Sequence, residues 1–296
     1  MEFLHFLESI RTGFGDAFFS VCTFIGSQAV LILLFCINFW CIDKQLAAEI
    51  GGSFFLSSLA VQDIKITLRV PRPFVLDPTL TPVETAVKGA TGYSFPSGHT
   101  QTSASSLIPA AFAYRKKRLL SAVLYILIIL TGFSRMYLGV HTPADVGTSL
   151  LISIVCAAAV MYSRRRCSAD KWYICLAAIL AVGSVFTFIY AGKLSAEGII
   201  EYDYLADCCK SAGAALGFAA GITVERRFIR FSLKESSFKG YAIRFLCGLA
   251  GAGIIYASKL FYSESLLLDV IRYFILLIWI TVIYPFILAR LRGKEE

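Results

Sequence analysis

The sequence predicts an all-α protein, a polytopic transmembrane helical bundle of about nine spanning helices. Three observations predict it. Of the 296 residues, 57% are hydrophobic and only 16% are charged, against about 25% charged in a soluble domain. The apolar residues run in blocks long enough to cross a bilayer, which takes roughly 20 residues per helix. The basic residues gather between those blocks, where cytoplasmic loops attract them.

The elements follow in order. Met1–Asp16 lacks the basic start of a signal peptide. Its Phe3, Phe6, Leu7, Ile10 and Phe14 fall on one helical face, as expected of a helix lying at the membrane interface. Spanning helices are expected near 18–41, 45–68, 97–114, 119–138, 143–162, 172–192, 207–224, 241–261 and 266–289. The third carries Ser97, His99, Thr100, Gln101, Thr102, Ser103, Ser105 and Ser106. Lipid cannot satisfy such groups, so this helix must face the protein interior. The seventh carries Gly213, Gly217 and Gly221 at four-residue spacing. That is a close-packing face for a helix of the same chain or of a second copy in a homodimer. Residues 1–192 are expected to form a six-helix core with its N-terminal interfacial helix, and 193–296 three appended helices.

A net charge of +8 would suggest nucleic acid in a soluble chain. Here 18 of the 28 Lys and Arg lie in alternate loops, at Lys44, 115–118, 164–171, 226–244 and 290–294. That set should be cytoplasmic, and no nucleic-acid partner is expected. The segments 70–96, 139–142, 193–206 and 262–265 then face the extracytoplasmic side of the cell (inner) membrane, with the N-terminus outside and the C-terminus inside. Most of the nine cysteines, Cys22, Cys36, Cys156, Cys175 and Cys247 among them, sit in apolar segments and read as small hydrophobes. No C-x-x-C pair and no H-E-x-x-H suggests a metal, and no cofactor is expected.

Three segments carry chemistry. The first, Lys65 to Pro73, includes Arg72. The second is Pro96-Ser97-Gly98-His99, which opens the third helix. The third runs from Ser134-Arg135 through His141 to Asp145 and joins the fourth and fifth helices. The loop parity puts all three at one membrane surface, where they can converge. Phosphoryl transfer spreads negative charge over three equatorial oxygens, which fixed cations and backbone amides in a dry pocket stabilise best. Lys65, Arg72 and Arg135 supply cations, and an Arg can grip two oxygens at once. Ser97 sits where a helix N-cap belongs, so the amides after it point at an anion. Without a metal, in-line displacement needs a nucleophile and an acid. Of three histidines, His5, His99 and His141, two fall in these segments. His141 is the better nucleophile because Asp145, four residues on, could fix its tautomer and stabilise its charge after attack. His99 then serves as acid for the leaving alcohol and later as base for water.

These segments resemble the signature of the type 2 phosphatidic acid phosphatase (lipid phosphate phosphatase) superfamily, related to vanadium haloperoxidases. The resemblance covers 65–145 and extends over the six-helix unit; the last three helices exceed the usual core. It implies a metal-free phosphohistidine mechanism in which Lys65, Arg72 and Arg135 hold phosphate, helped by Ser97 and Gly98. It gives His99 and His141 the roles of acid and nucleophile, with Asp145 supporting the latter. The expected partners are a lipid phosphate and the surrounding membrane lipids.

Plainer explanations exist for single residues. Asp145 could cap a helix, since Thr142-Pro143-Ala144-Asp145 resembles a capping box. Lys65 and Arg135 could snorkel to the interface. Lys210, Lys259 and Asp269 read as anchors at helix ends. Two other functions are compatible with a polytopic chain. A phosphotransferase would use the same intermediate, and a transporter or scramblase would need charged or broken helices near the bilayer centre. The segment Ser134–His141 also resembles the sphingosine-phosphate and dolichyl-diphosphate branches. Candidate substrates are therefore undecaprenyl diphosphate and sphingoid phosphates, expected to be preferred over phosphatidic acid.

Overall fold

A computed structural model describes residues 1–90, 92–234 and 237–292. Lys294, counted above with the basic loops, lies outside them. The described residues form helices joined by loops, with no strand among them. In chain order the helices are α1 (Glu2–Ser9), α2 (Gly13–Phe24), α3 (Gln28–Ile37), α4 (Lys44–Leu68), α5 (Pro73–Leu76), α6 (Glu84–Val87) and α7 (Gly98–Ala113). Then come α8 (Arg118–Tyr137), α9 (Pro143–Arg166), α10 (Ala169–Ala196), α11 (Tyr202–Val224), α12 (Phe238–Ala257), α13 (Leu266–Ile278) and α14 (Tyr284–Arg292).

Every one of the nine expected segments is helical, but length and apolarity supply fewer crossings. Among the described residues, five helices are long and apolar enough: Arg118–Tyr137, Pro143–Arg166, Ala169–Ala196, Phe238–Phe261 and Leu266–Leu291. A sixth results if Gly13–Phe24 and Gln28–Ile42, bent by 46° at their break, form one span. This is a multi-pass membrane protein. The shortfall lies in α4, α7 and α11. Charged residues open α11 and interrupt α4. Helix α7 has only 16 residues, about 24 Å at a 1.5 Å rise.

The chain forms two compact units, one of Met1–Ile32 with Leu56–Ala159 and one of Leu33–Phe55 with the residues from Val160. In the first, α2 and α7 both pack on α8. As expected of a polar helix, α7 turns inward: every residue from Thr100 to Ser106 is buried. Its polar groups are satisfied by protein. Gln101 Nε2 donates to Ser57 Oγ at 2.7 Å, Ser149 Oγ to the Ser97 carbonyl at 2.8 Å, and Ser106 Oγ to the Thr102 carbonyl at 2.6 Å. A buried polar group left unpaired costs more than a paired one contributes, so the Ser149 bond, with that of Ser153 Oγ to the Gln101 carbonyl at 3.3 Å, fixes the register of α7 against α9.

The N-terminus differs from the single amphipathic helix expected. Helix α1 stops at Ser9, and Arg11 beyond it donates through Nε to the Tyr137 carbonyl at 2.8 Å and through Nη1 to the Thr81 carbonyl. Thr12 then caps α2, its Oγ1 accepting from the Gly15 amide at 3.1 Å. Leu4 and Leu7 bury with Leu80 against Phe133 and Met136, while Phe3, Phe6 and Ile10 stay exposed. Phe14 belongs to α2 instead. His5 adds a polar tie to the loop after α5, with Nε2 at 2.9 Å from Asp77 Oδ2. That hydrogen bond raises the imidazole above its ordinary pKa.

In the second unit, α11 packs along α10 and α13. A Cβ added at Gly213 would come within 2.9 Å of Val270, and one at Gly217 within 2.5 Å of the Phe274 carbonyl. One added at Gly221 would collide with Thr281. The small-residue face is therefore occupied within the chain.

Candidate active site

The first segment leaves α4 through Arg69, whose φ of 50° is left-handed. Pro71 follows, which disfavours helix at Val70 and turns the chain outward. Lys65 stays on the last turn of α4 and donates to the Tyr93 carbonyl at 2.6 Å. Arg72 precedes Pro73 at the start of α5. The second segment begins α7 as expected. Ser97 is its N-cap, with its backbone amide on the Asp145 carbonyl at 3.2 Å. Gly98 follows, and a Cβ there would meet nothing within 4 Å. Packing within the protein does not demand glycine at this position.

The third segment needs glycine for a different reason. Gly139 takes φ of 77° to end α8, and a Cβ there would lie 2.7 Å from the Arg11 guanidinium. The turn brings the Val140 and His141 amides onto the Arg135 carbonyl, each at 3.2 Å. Helix α9 then starts with a reciprocal cap: the Thr142 amide donates to Asp145 Oδ2 at 2.8 Å, and the Asp145 amide to Thr142 Oγ1 at 3.2 Å. Asp145 is thus a helix cap and, through the same oxygen, a neighbour of His141.

His141 and Asp145 are almost fully enclosed, at 1% and 2% exposure. Arg72 Nη1 lies 2.7 Å from His141 Nε2. An Arg can only donate, so Nε2 carries the lone pair and the ring proton sits on Nδ1. Nδ1 faces Asp145 Oδ2 at 3.3 Å and Ser94 Oγ at 3.4 Å. Ser94 in turn donates to Asp145 Oδ2 at 2.6 Å. Burial, then the charges of Arg72, Arg135 and Lys65 and the adjacent His99, hold the His141 imidazole well below its ordinary pKa of 6.5. The imidazole is therefore neutral near pH 7, as a nitrogen nucleophile must be.

Arg135 does not snorkel. It is buried, with Nη1 donating to Thr23 Oγ1 at 2.7 Å, while Nε and Nη2 find no partner among the described residues. His99 is half-buried at the second position of α7, and Gly26 approaches its carbonyl so closely that a Cβ would lie 2.6 Å away. All eight expected residues, Lys65, Arg72, Ser97, Gly98, His99, Arg135, His141 and Asp145, belong to the first unit. Lys210, Lys259 and Asp269 belong to the second and pair locally: Lys210 with Asp207 at 2.6 Å, Lys259 with Asp269 at 3.3 Å. Ser94 and Thr23 are contacts that sequence reasoning missed. The only local signal for Ser94 was its place three residues before Ser97.

Two family models match the chain. One, described as the PAP2 superfamily, matches residues 46–169, and the other, the transmembrane extension of PAP2 superfamily phosphatases, matches 209–296. A probable sphingosine-1-phosphate phosphatase of Dictyostelium discoideum is 29% identical over 171 residues, 54% of this chain and 41% of the relative. The undecaprenyl-diphosphatase BcrC of Bacillus subtilis is 40% identical over 85 residues, 29% of this chain and 40% of the relative. The chain thus spans about two fifths of the length of each of these relatives. No solved structure matches the chain significantly.

Proposed function

We propose that this chain, which belongs to the PAP2 superfamily, removes phosphate from a membrane lipid through a phosphohistidine formed on His141. The observation that carries the reading is the state of His141. Its Nε2 lone pair is exposed to an arginine, its Nδ1 faces a carboxylate, and cations surround it. The relatives named for sphingosine-1-phosphate and undecaprenyl diphosphate support a lipid substrate with a small phosphate head.

In the proposed reaction, Lys65, Arg72 and Arg135 hold the phosphoryl oxygens. Arg72 turns its Nη1 from His141 Nε2 to the phosphate, which frees the lone pair. Nε2 attacks phosphorus and the bond to the leaving oxygen breaks, with its electron pair taking a proton from His99. Asp145 stabilises the positive imidazole that results. Water, giving its proton back to His99, then attacks phosphorus and releases phosphate and neutral His141. Ser97 caps α7, so the amides that follow it, beginning with Gly98, point at the phosphate. The open space at Gly98 supports close approach by substrate as the reason for glycine there. Fixed cations supply the stabilising charge, so no metal is required.

The basic-loop pattern supports an active site on the extracytoplasmic face of the cell membrane. The family matches support a catalytic core within 1–192 and appended helices over 193–296. The test is release of free phosphate by purified protein in matched detergent micelles, with EDTA present. Undecaprenyl diphosphate, a sphingoid phosphate and phosphatidic acid are compared, with and without an acceptor lipid. Single-chain substrates should give the higher kcat/KM. A tenfold preference for phosphatidic acid, about 1.4 kcal/mol, overturns the single-chain assignment. Phosphate appearing only on the acceptor lipid makes the chain a transferase, and loss of activity with EDTA overturns the metal-free reading.

A further inference from the structure

Helix α2 lies outside the segment matched by the catalytic family model, which begins at residue 46. It nevertheless packs on α8 beside the candidate site. Thr23, on its last turn, accepts from Arg135 Nη1 at 2.7 Å. Three residues on, Gly26 lets the chain lie against the His99 backbone: a Cβ would fall 2.6 Å from the His99 carbonyl oxygen and 2.7 Å from Thr131 Cγ2. Thr131 Oγ1 closes the contact from the other side, 3.4 Å from the Cys22 carbonyl. One short stretch of the first helix pair therefore touches both a cation and a histidine of the site.

The chemistry of the guanidinium gives this contact its meaning. Nε–H and one Nη2–H point the same way and form a two-pronged donor that matches two oxygens of a phosphate. The Nη1 side is the other edge. Arg135 is buried, its Nη1 is held by Thr23, and Nε and Nη2 have no partner among the described residues. The Nε–Nη2 edge, which can grip two oxygens side-on, is therefore left available. A guanidinium on a flexible stem could turn about its last torsion and offer the wrong edge. A hydrogen bond on Nη1 opposes that turn.

We propose that Thr23 is a positioning residue of the phosphate pocket: its hydroxyl fixes the rotation of Arg135 so that the Nε–Nη2 edge faces the phosphate. The assignment rests on the reading of Arg135 as a phosphate ligand. Thr23 itself touches no reacting atom.

The test separates hydroxyl from methyl. Thr23→Val keeps the shape and loses the hydroxyl, whereas Thr23→Ser keeps the hydroxyl and loses the methyl. Thr23→Val is expected to lower kcat/KM about tenfold and to raise the inhibition constant of vanadate by a similar factor, because both report the grip on equatorial oxygens. Thr23→Ser is expected to match the parent in both. A packing role gives the reverse order, with Thr23→Ser impaired and Thr23→Val normal, and that result overturns the proposal. Equal loss in the two variants overturns it too, as does no loss in either. Should Thr23→Val fail to fold, Thr23→Ala set against Thr23→Ser makes the same comparison. Arg135→Ala runs alongside: if it retains full activity and vanadate sensitivity, the phosphate role of Arg135 fails, whereas its inactivity with a normal Thr23→Val enzyme isolates the failure to Thr23.

Discussion

Ser94→Ala removes one hydrogen bond from the Asp145 carboxylate, the group proposed to support His141 as nucleophile. Asp145 Oδ2 accepts from three groups: Ser94 Oγ at 2.6 Å, the Thr142 amide at 2.8 Å and His141 Nδ1 at 3.3 Å. The shortest is the serine bond. A hydrogen bond to a charged group is worth about 1.5–3 kcal/mol. The Thr142 amide still holds the same oxygen after the substitution, so the loss of transition-state stabilisation should lie near the lower end. That converts to a kcat about tenfold lower, with KM little changed because Ser94 makes no phosphate contact in the proposed reaction. Stability should fall by only about 1 kcal/mol, since no buried donor is left unpaired. The assay is phosphate release from a single-chain lipid phosphate at fixed surface concentration, beside a thermal midpoint. A kcat within about twofold of the parent would falsify the claim that Ser94 orients the carboxylate.

Two further outcomes follow from the same geometry. Gly98→Ala should fold normally, because its Cβ meets no protein atom within 4 Å, yet lose substrate affinity or turnover at least about tenfold; an unchanged kcat/KM would remove the phosphate from the start of α7. The profile of kcat/KM against pH reports groups of the free enzyme. His141 is depressed below 6.5, so its lone pair is lost only as pH falls well below that value, and an acid limb centred at or above 6.5 that is traced to His141 contradicts the site.

Much of the site was legible because its residues come in three short segments whose internal spacing a helix or turn makes physical. His141 and Asp145 are four residues apart across the start of α9, which Thr142-Pro143 announces. Ser97 was legible as a cap for the same local reason. What escaped depends on distant pairing. Ser94 meets Asp145 across 51 positions and Thr23 meets Arg135 across 112, and neither carries a pattern of its own. The polar face of α7 foretold its burial, because hydroxyls that lipid cannot satisfy must turn inward. The number of crossings was less legible: apolar blocks between basic loops suggested nine spans, but α4, α7 and α11 are helices without the length or apolarity to cross on that basis alone. At the N-terminus the apolar period ran through Ile10 and Phe14 as if unbroken. Thr12-Gly13 was the cap signal against it, and Arg11, drawn to the Tyr137 and Thr81 carbonyls, explains the break.

The central claim is that His141 carries the phosphoryl group. Its most direct measurement is a single-turnover reaction with a lipid bearing radiolabelled phosphate, quenched in alkali, digested and mapped, beside the turnover of purified, folded His141→Ala. The account predicts label on the peptide containing His141, stable to alkali and lost in acid, and no turnover by the variant. Acid-stable label on another residue, or phosphate release by His141→Ala at a rate near the parent's, would contradict it.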